Sequence, residues 1–301
     1  MRALSATSLV LCASLTAVAQ QPTFKTGIDL VNVSAVVTDK RGNLVTNLTR
    51  ADFEVFEDGK KQEISYFSRG DDDVSMQPEL HLGLLMDVSE SMGEDLAFTK
   101  TAAVKFLNML TDARDITVMD FDTEVRAARY SQAEFARLIE RIRSKKVGGN
   151  TAIYDAVGMY LDGAGGQDGR KIMLLYTDGG DTRSTLSFSQ LIDLLKASDV
   201  TVFVIGLLEH QSAFTRNEQR TTILRIAETT GGEALFPTST KQLEEMYAKV
   251  VAQVRAQYTL GYTSTNPKTD GAWRKVEIRP RKDDRGLRVR SRQGYFAPYR
   301  H

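Results

Sequence analysis

Three oxygen-bearing side chains occupy alternate positions where an apolar run ends. They are Asp87, Ser89 and Ser91 in the stretch LLMDVSESMG, residues 84–93. Alternation near a strand end places them on one side of the chain. Two further segments carry groups of the same chemistry. Asp178, in LLYTDGGD, ends another apolar run and is followed by glycines that allow a sharp turn. Thr151, in KVGGNTAIYDAV, follows a Gly-Gly loop and opens a helix. Ligands of an open α/β sheet gather at the carboxyl ends of its strands, so the five groups are expected on one edge. Two carboxylates and three hydroxyls, completed by water, suit a hard divalent cation such as Mg²⁺ or Mn²⁺. Zinc prefers His and Cys. Taken singly, each residue also has an ordinary role: a strand-end Asp can cap or turn, and Ser89, Ser91 or Thr151 can cap the next helix.

The elements that must position these residues can be read from periodicity. From Glu79 onward, short continuous apolar runs (HLGLLMD, DITVMDF, KIMLLYTD, VTVFVIGL, EALF) alternate with helix-length amphipathic segments. The last of those segments is TKQLEEMYAKVVAQVRAQ. Ser131 and Glu134 form a capping box ahead of the second helix, and Gly231-Gly232 stops the fifth. Strands buried on both faces and alternating with helices predict an α/β fold with a doubly wound, mostly parallel sheet.

The flanks differ. IDLVNVSAVVTD alternates apolar and polar residues, and DFEVFEDGKKQEISYF reads as a hairpin around Asp58-Gly59. SRGDDDVSMQPE reads as a polar linker, and its Arg69–Asp71 triplet is too short to identify an integrin ligand. After Gln257 the chain is β-like again, through YTLGYTS, WRKVEIRPR and GLRVRSRQGYF. Its many cations alternate with apolar residues, as on half-exposed strands. Each flank alone is small for a stable sheet. The expectation is that they pair into one β-sandwich with the α/β domain inserted between them. The expected boundaries are 1–19 for a signal peptide, 20–78 for the first β segment and linker, 79–257 for the α/β domain and 258–301 for the last β segment.

Composition limits the function classes. The 39 acidic and 39 basic residues balance, which gives no reason to expect nucleic acid or an acidic membrane surface as the main partner. MRALSATSLVLCASLTAVAQ has the positive start, apolar run and small-residue site of a secretory signal peptide, with cleavage near Ala19. Export to the periplasm or medium is therefore expected, with no membrane span in the mature chain. Cys12 is the only cysteine and lies in that segment, preceded by the bulky Leu11, which argues against a lipoprotein site. A mature chain without cysteine has neither thiol catalysis nor Cys-ligated zinc.

DVSES, the isolated Thr of GGNTAIYDAV and TDGGD together resemble the D-x-S-x-S…T…D set of the von Willebrand factor type A (VWA) domain. In that family the set is the metal-ion-dependent adhesion site, MIDAS. The resemblance covers about residues 79–257. The flanks, with LTRADFEVFEDGKKQEI ahead and GYF behind, look like those of exported bacterial VWA-containing proteins seen notably in acidobacteria. It implies direct metal binding by Ser89 and Ser91, direct or water-mediated binding by Thr151, and retention of coordinated waters by Asp87 and Asp178. One open metal position would then accept an Asp or Glu carboxylate from a partner protein. Glu90 departs from the family pattern, where many relatives carry Gly; it is expected to point to solvent.

Other functions fit less well. A Mg²⁺-dependent phosphotransferase of the haloacid dehalogenase type would need an acid two residues after its nucleophile, where this chain has Ser89. There is no G-x-S-x-G, P-loop or dinucleotide fingerprint, and His81, His210 and His301 are expected at the surface. Asp120, Asp122 and Asp181 are expected as loop or capping residues, with Asp181 also a candidate for the outer shell of the site. The readings carried forward are a non-enzymatic adhesion-type module, the phosphotransferase, and a structural module with an empty metal site.

Overall fold

The continuous apolar runs become strands because both of their faces are covered. The computed structural model describes residues 30–70, 78–281 and 286–299. The expected signal peptide with Cys12, most of the polar linker with Asp71, and His301 lie outside the described residues.

Four strands come first: β1 (Leu30–Thr38), β2 (Phe53–Glu57), β3 (Lys60–Gln62) and β4 (Ile64–Ser68). The α/β series follows with β5 (Leu80–Asp87), α1 (Leu96–Met109), β6 (Asp115–Phe121), β7 (Val125–Ser131), α2 (Phe135–Ser144) and α3 (Ile153–Ala164). It continues with β8 (Arg170–Thr177), α4 (Phe188–Ala197), β9 (Thr201–Gly206), α5 (Ala213–Thr229), β10 (Ala234–Leu235) and α6 (Thr240–Arg255). The chain closes with β11 (Tyr258–Thr263), β12 (Trp273–Pro280), β13 (Arg288–Ser291) and β14 (Gly294–Phe296).

The central sheet has the order β10-β9-β8-β5-β6-β7. Neighbours are parallel except β7, which runs antiparallel to β6 at the edge. Alternate residues of each strand serve opposite faces. Leu82, Leu84 and Met86 pack with Phe106 of α1, Leu138 of α2 and Tyr247 of α6. Leu85, Met173 and Leu175 pack with Val157 of α3, Leu191 of α4 and Ile223 of α5. Full burial of a large apolar side chain contributes roughly 1.5–3 kcal/mol, so these two layers carry most of the stability of this part of the chain. Gly83 in β5 leaves room for the Tyr160 ring, which an added Cβ would meet at 2.3 Å.

Both flanks contribute to both remaining sheets. One has the order β13-β1-β11-β4 and the other β14-β12-β2-β3. Their inner faces share a core that includes Val33, Val55, Tyr258, Leu260, Tyr262 and Ile278. Neither flank could bury these residues alone, as the sequence pattern implies. The β2–β3 turn falls at Asp58-Gly59, both with positive φ (48° and 80°), the conformation that tight hairpins need.

Three expectations need correction. RAARYS was not read as strand, yet β7 forms there, with the half-exposed pattern of an edge. The fifth helix, expected over TTILRIAETTGG, starts at Ala213, eight residues earlier, because Ser212 caps a polar first half. His81 is buried, not superficial: Nδ1 lies 3.1 Å from Asp115 and Nε2 lies 2.9 Å from the Asp168 carbonyl. Among the described residues no helix is long and apolar enough to cross a membrane.

Candidate metal centre

β5 and β8 lie side by side, with Met86 opposite Tyr176, so their carboxyl ends bring Asp87 and Thr177 together. The strand order changes direction here, since the chain passes from β5 to β6 on one side and returns to β8 on the other. A crevice at such a point is where open α/β sheets take ligands.

Asp87 is fully buried and Asp178 is 2% exposed. Oδ1 of Asp87 accepts the Ser89 hydroxyl at 2.5 Å and the Ser89 amide at 3.0 Å; Oδ2 accepts the Thr177 hydroxyl at 2.7 Å. No ion pair to Asp87 forms among the described residues. Burial pushes its carboxyl up to about 7, the charge of Asp178 adds to that, and the Ser89 and Thr177 hydrogen bonds oppose it. Such a carboxylate gains from any cation that approaches.

Ser89 stands at the cap position of a short 3-10 turn, Glu90–Met92, but its side chain makes no cap hydrogen bond. Its hydroxyl is turned to Asp87 and lies 3.2 Å from the exposed Ser91 hydroxyl. Glu90 is exposed, as expected.

The Thr151 loop is stitched to both other segments through the backbone. The Gly148 amide donates to the Val88 carbonyl at 3.0 Å, and the Glu90 amide donates to the Gly149 carbonyl at 3.2 Å. On the other side, the Thr151 carbonyl accepts the Thr182 and Arg183 amides, each at 2.9 Å. Thr151 is buried, and the cap of α3 is Ala152, so the Thr151 side chain does not occupy the cap position.

Asp178 is oriented by its own turn and by the next loop. Oδ1 accepts the Gly180 amide at 3.0 Å, and Oδ2 accepts the Gln211 side chain at 2.9 Å. Gly179, at φ 87°, makes the turn that this needs. His210, next to Gln211 in the chain, has Nδ1 2.8 Å from a Glu94 carboxylate oxygen.

The structure therefore gathers the three segments that carry Asp87, Ser89, Ser91, Thr151 and Asp178 on one edge. Their oxygen-only donor set, with a buried acid at its base, could hold a hard divalent ion. Asp181 instead serves the local turn, accepting the Tyr154 amide at the start of α3 and the Ser184 hydroxyl. Asp122 accepts the Glu124 amide within its loop. Asp120 is neither loop nor cap: it lies in β6, fully buried, against Arg126, Arg141 and Lys145. Sequence reasoning missed Thr177 and Gln211. Thr177 is a hydroxyl at a strand end beside an acid, a signal of the same kind as the others. Gln211 sits in a loop with no pattern to mark it.

A family model described as von Willebrand factor type A domain matches residues 81–249, more than half of the chain. No match was found among curated proteins. Similar solved structures include the pilus adhesin SpaC from Lactobacillus rhamnosus GG in an open conformation (TM-score 0.48, 11% identity, 82% of this chain and 48% of that one). Another is von Willebrand factor type A from Catenulispora acidiphila (TM-score 0.49, 13% identity, 82% and 74%). A third is the vWF domain of the type V pili tip protein Mfa5 from Porphyromonas gingivalis (TM-score 0.49, 11% identity, 60% and 97%). The chain spans about half the length of SpaC.

Proposed function

Because the chain belongs to the von Willebrand factor type A domain family, we propose that it is a non-enzymatic, exported binding module that uses a divalent cation to engage an acidic residue of a partner protein. The binding unit in this reading is residues 79–257, with the β-sandwich as its support.

The ion would be Mg²⁺ or Mn²⁺, held by Ser89 and Ser91, by Thr151 directly or through water, and by Asp87 and Asp178 through water. A bound ion supplies an electrophilic position that a partner's carboxylate can occupy. The chain's own residues prepare that position. Thr177 and the Ser89 amide fix the Asp87 carboxylate, Gln211 and the Gly180 amide fix Asp178, and the backbone links from Gly148 and Gly149 hold the Thr151 loop against the Ser89 segment. Few of the charged groups are proposed to touch the ion directly, which leaves it attractive to an incoming acid.

The observation that carries this reading is the buried Asp87, surrounded by hydroxyls and an amide and repelled by Asp178. A structural carboxylate at this depth would ordinarily be given a cationic partner. The experiment is a calorimetric titration of the chain with Mn²⁺, beside Asp87→Ala. Binding to the parent that is lost in the variant supports the proposal and opens a search for acidic partners in Mn²⁺-containing buffer. Absence of binding in both removes the metal from the mechanism and leaves a structural module.

A further inference from the structure

β7 forms one open edge of the central sheet. Among the described residues it is the longest strand at any sheet edge, with 7 residues against 5 in β4, 4 in β13, 3 in β3 and β14, and 2 in β10. The phase of its ladder follows from the hairpin, where the Asp122 amide donates to the Glu124 carbonyl at 3.1 Å. In that phase Arg126, Ala128 and Tyr130 exchange hydrogen bonds with β6. The amides and carbonyls of Val125, Ala127 and Arg129 therefore point away from the sheet. Those of Ala127 and Arg129 make no hydrogen bond among the described residues.

An exposed edge of this length is a template for another strand unless it is blunted. β7 has no proline, and its register with β6 has no bulge. Arg126 turns its charge inward to Asp120 and Asp122, at 2.7 Å each. Arg129 is exposed; its guanidinium donates to the Thr117 hydroxyl at 3.3 Å, a neutral group, and pairs with no carboxylate among the described residues. Asp115, on β6, is held by His81 at 3.1 Å. Beside the edge, on the α3 side, runs a groove of about 260 Å³. β6 and β7 supply Met119 and Ala127 to it, and α3 supplies Gly163 and Met159, the latter 50% exposed. A Cβ added at Gly163 would meet nothing within 4 Å, so the groove is open there.

We propose that β7 is the docking edge for an extended segment of a partner protein, one that carries an acid and, two residues later, an apolar side chain. The backbone sets the form of the partner. Outward amides and carbonyls at alternate residues are matched by an added antiparallel strand. Antiparallel is the sense in which β7 already pairs with β6. The side chains set the sequence of the partner. Ala128 and Tyr130 face the α2 side, so Ala127 and Arg129 face the α3 side with Val125 and Met119. Residues directly opposite each other on paired strands share a face. An acid opposite Arg129 therefore supplies the counter-charge that this cation lacks. Because the strands run in opposite senses, the residue opposite Ala127 comes two positions later, and an apolar side chain there enters the groove against Met159.

The test uses the whole chain and two labelled synthetic peptides, read by fluorescence anisotropy. One is threonine-rich and carries glutamate followed two positions later by leucine; the other has lysine in place of glutamate. The expected result is sub-millimolar binding of the glutamate peptide and roughly tenfold weaker binding of the lysine peptide. Ala127→Pro removes an outward amide and no bond to β6, so it should fold and bind roughly tenfold more weakly. Arg129→Glu should reverse the preference between the two peptides. Gly163→Leu fills the groove at a helix position where leucine is favoured over glycine, and should weaken the glutamate peptide without lowering the melting temperature. These two variants carry the test if Ala127→Pro unfolds. Asp87→Ala should bind the peptide as the parent does, which separates this edge from the metal proposal. The inference is overturned by no binding of the glutamate peptide, by equal binding of the two peptides, or by unaltered binding in Arg129→Glu or Gly163→Leu. Sedimentation of the chain as a dimer that Ala127→Pro dissociates would also overturn it, since the edge would then belong to a second copy.

Discussion

Thr177 donates its hydroxyl to Oδ2 of Asp87 at 2.7 Å, across the seam where β8 runs beside β5. The same oxygen of Thr177 accepts the Gly179 amide at 3.0 Å, so one hydroxyl ties the buried acid to the turn that presents Asp178. Replacement by valine keeps the shape of a β-branched strand residue and removes both links. Thr177→Val should cost about 1–2 kcal/mol in urea denaturation, the usual penalty for leaving buried polar partners unmade. It should also weaken Mn²⁺ binding in calorimetry, because Asp87 and Asp178 lose a shared brace. An unchanged Mn²⁺ affinity in a destabilised variant would mean that Thr177 serves only the fold.

Asp120 gives the chain a defined response to acid. Burial alone would raise its carboxyl, but Lys145, Arg126 and Arg141 outweigh burial and hold it below its ordinary value of 3.8. A group depressed in the folded state stabilises at pH above its unfolded value. That contribution is lost as pH falls through the lower, folded value. Urea midpoints of the parent should therefore be flat from neutral pH down to about 4 on this account and fall below it. Asp120→Asn should be less stable at neutral pH and show a shallower decline in acid. Parallel acid profiles for the two proteins would refute the assignment.

The alternation of apolar runs and helices made the central sheet legible, because a strand covered on both faces has no choice but to be continuously apolar. The site was legible for a related reason: Asp87, Ser89 and Asp178 are polar groups where such runs stop. Two kinds of feature were hidden. β7 borders solvent on one edge, and RAARYS carries the polar content of a loop, so its pairing with β6 is decided by tertiary contact rather than by local pattern. Asp120 lies inside an apolar run, and only the folded chain shows that Arg126, Arg141 and Lys145 converge on it from β7 and the end of α2. Side chains that meet across different elements leave no spacing signal.

Glu57 is a second example of the same kind. It is 3% exposed and accepts from Tyr262 (2.9 Å), Tyr295 (2.8 Å) and Ser264 (2.5 Å), with the buried Arg274 at 3.4 Å. These groups belong to β11, β14, β12 and the loop after β11, so one carboxylate joins both sheets of the sandwich. Glu57→Ala should destabilise the chain by about 3–5 kcal/mol, since it leaves Arg274 buried without its counter-charge. Glu57→Gln should lose less, because an amide still accepts from the hydroxyls. Chemical denaturation of the two variants checks the order, and equal losses would show that packing rather than charge is at stake.

Gly149 decides where the Thr151 loop sits. Its φ is 74°, a left-handed conformation that costs other residues about 1–2 kcal/mol. A Cβ at this position would also lie 2.6 Å from the Thr123 hydroxyl, which accepts the Asn150 amide at 2.9 Å. Alanine therefore strains the backbone and displaces either the loop or the Thr123 side chain that braces it, and the loop is what the Gly149 carbonyl fastens to the Glu90 amide. The central sheet has no part in that contact. Gly149→Ala should accordingly fold with a modest loss of stability while its Mn²⁺ affinity falls several-fold. The two readouts separate the possibilities. A variant that binds Mn²⁺ as the parent does would show that Thr151 is not needed near Ser89 and Ser91, and would remove it from the set of metal-holding residues.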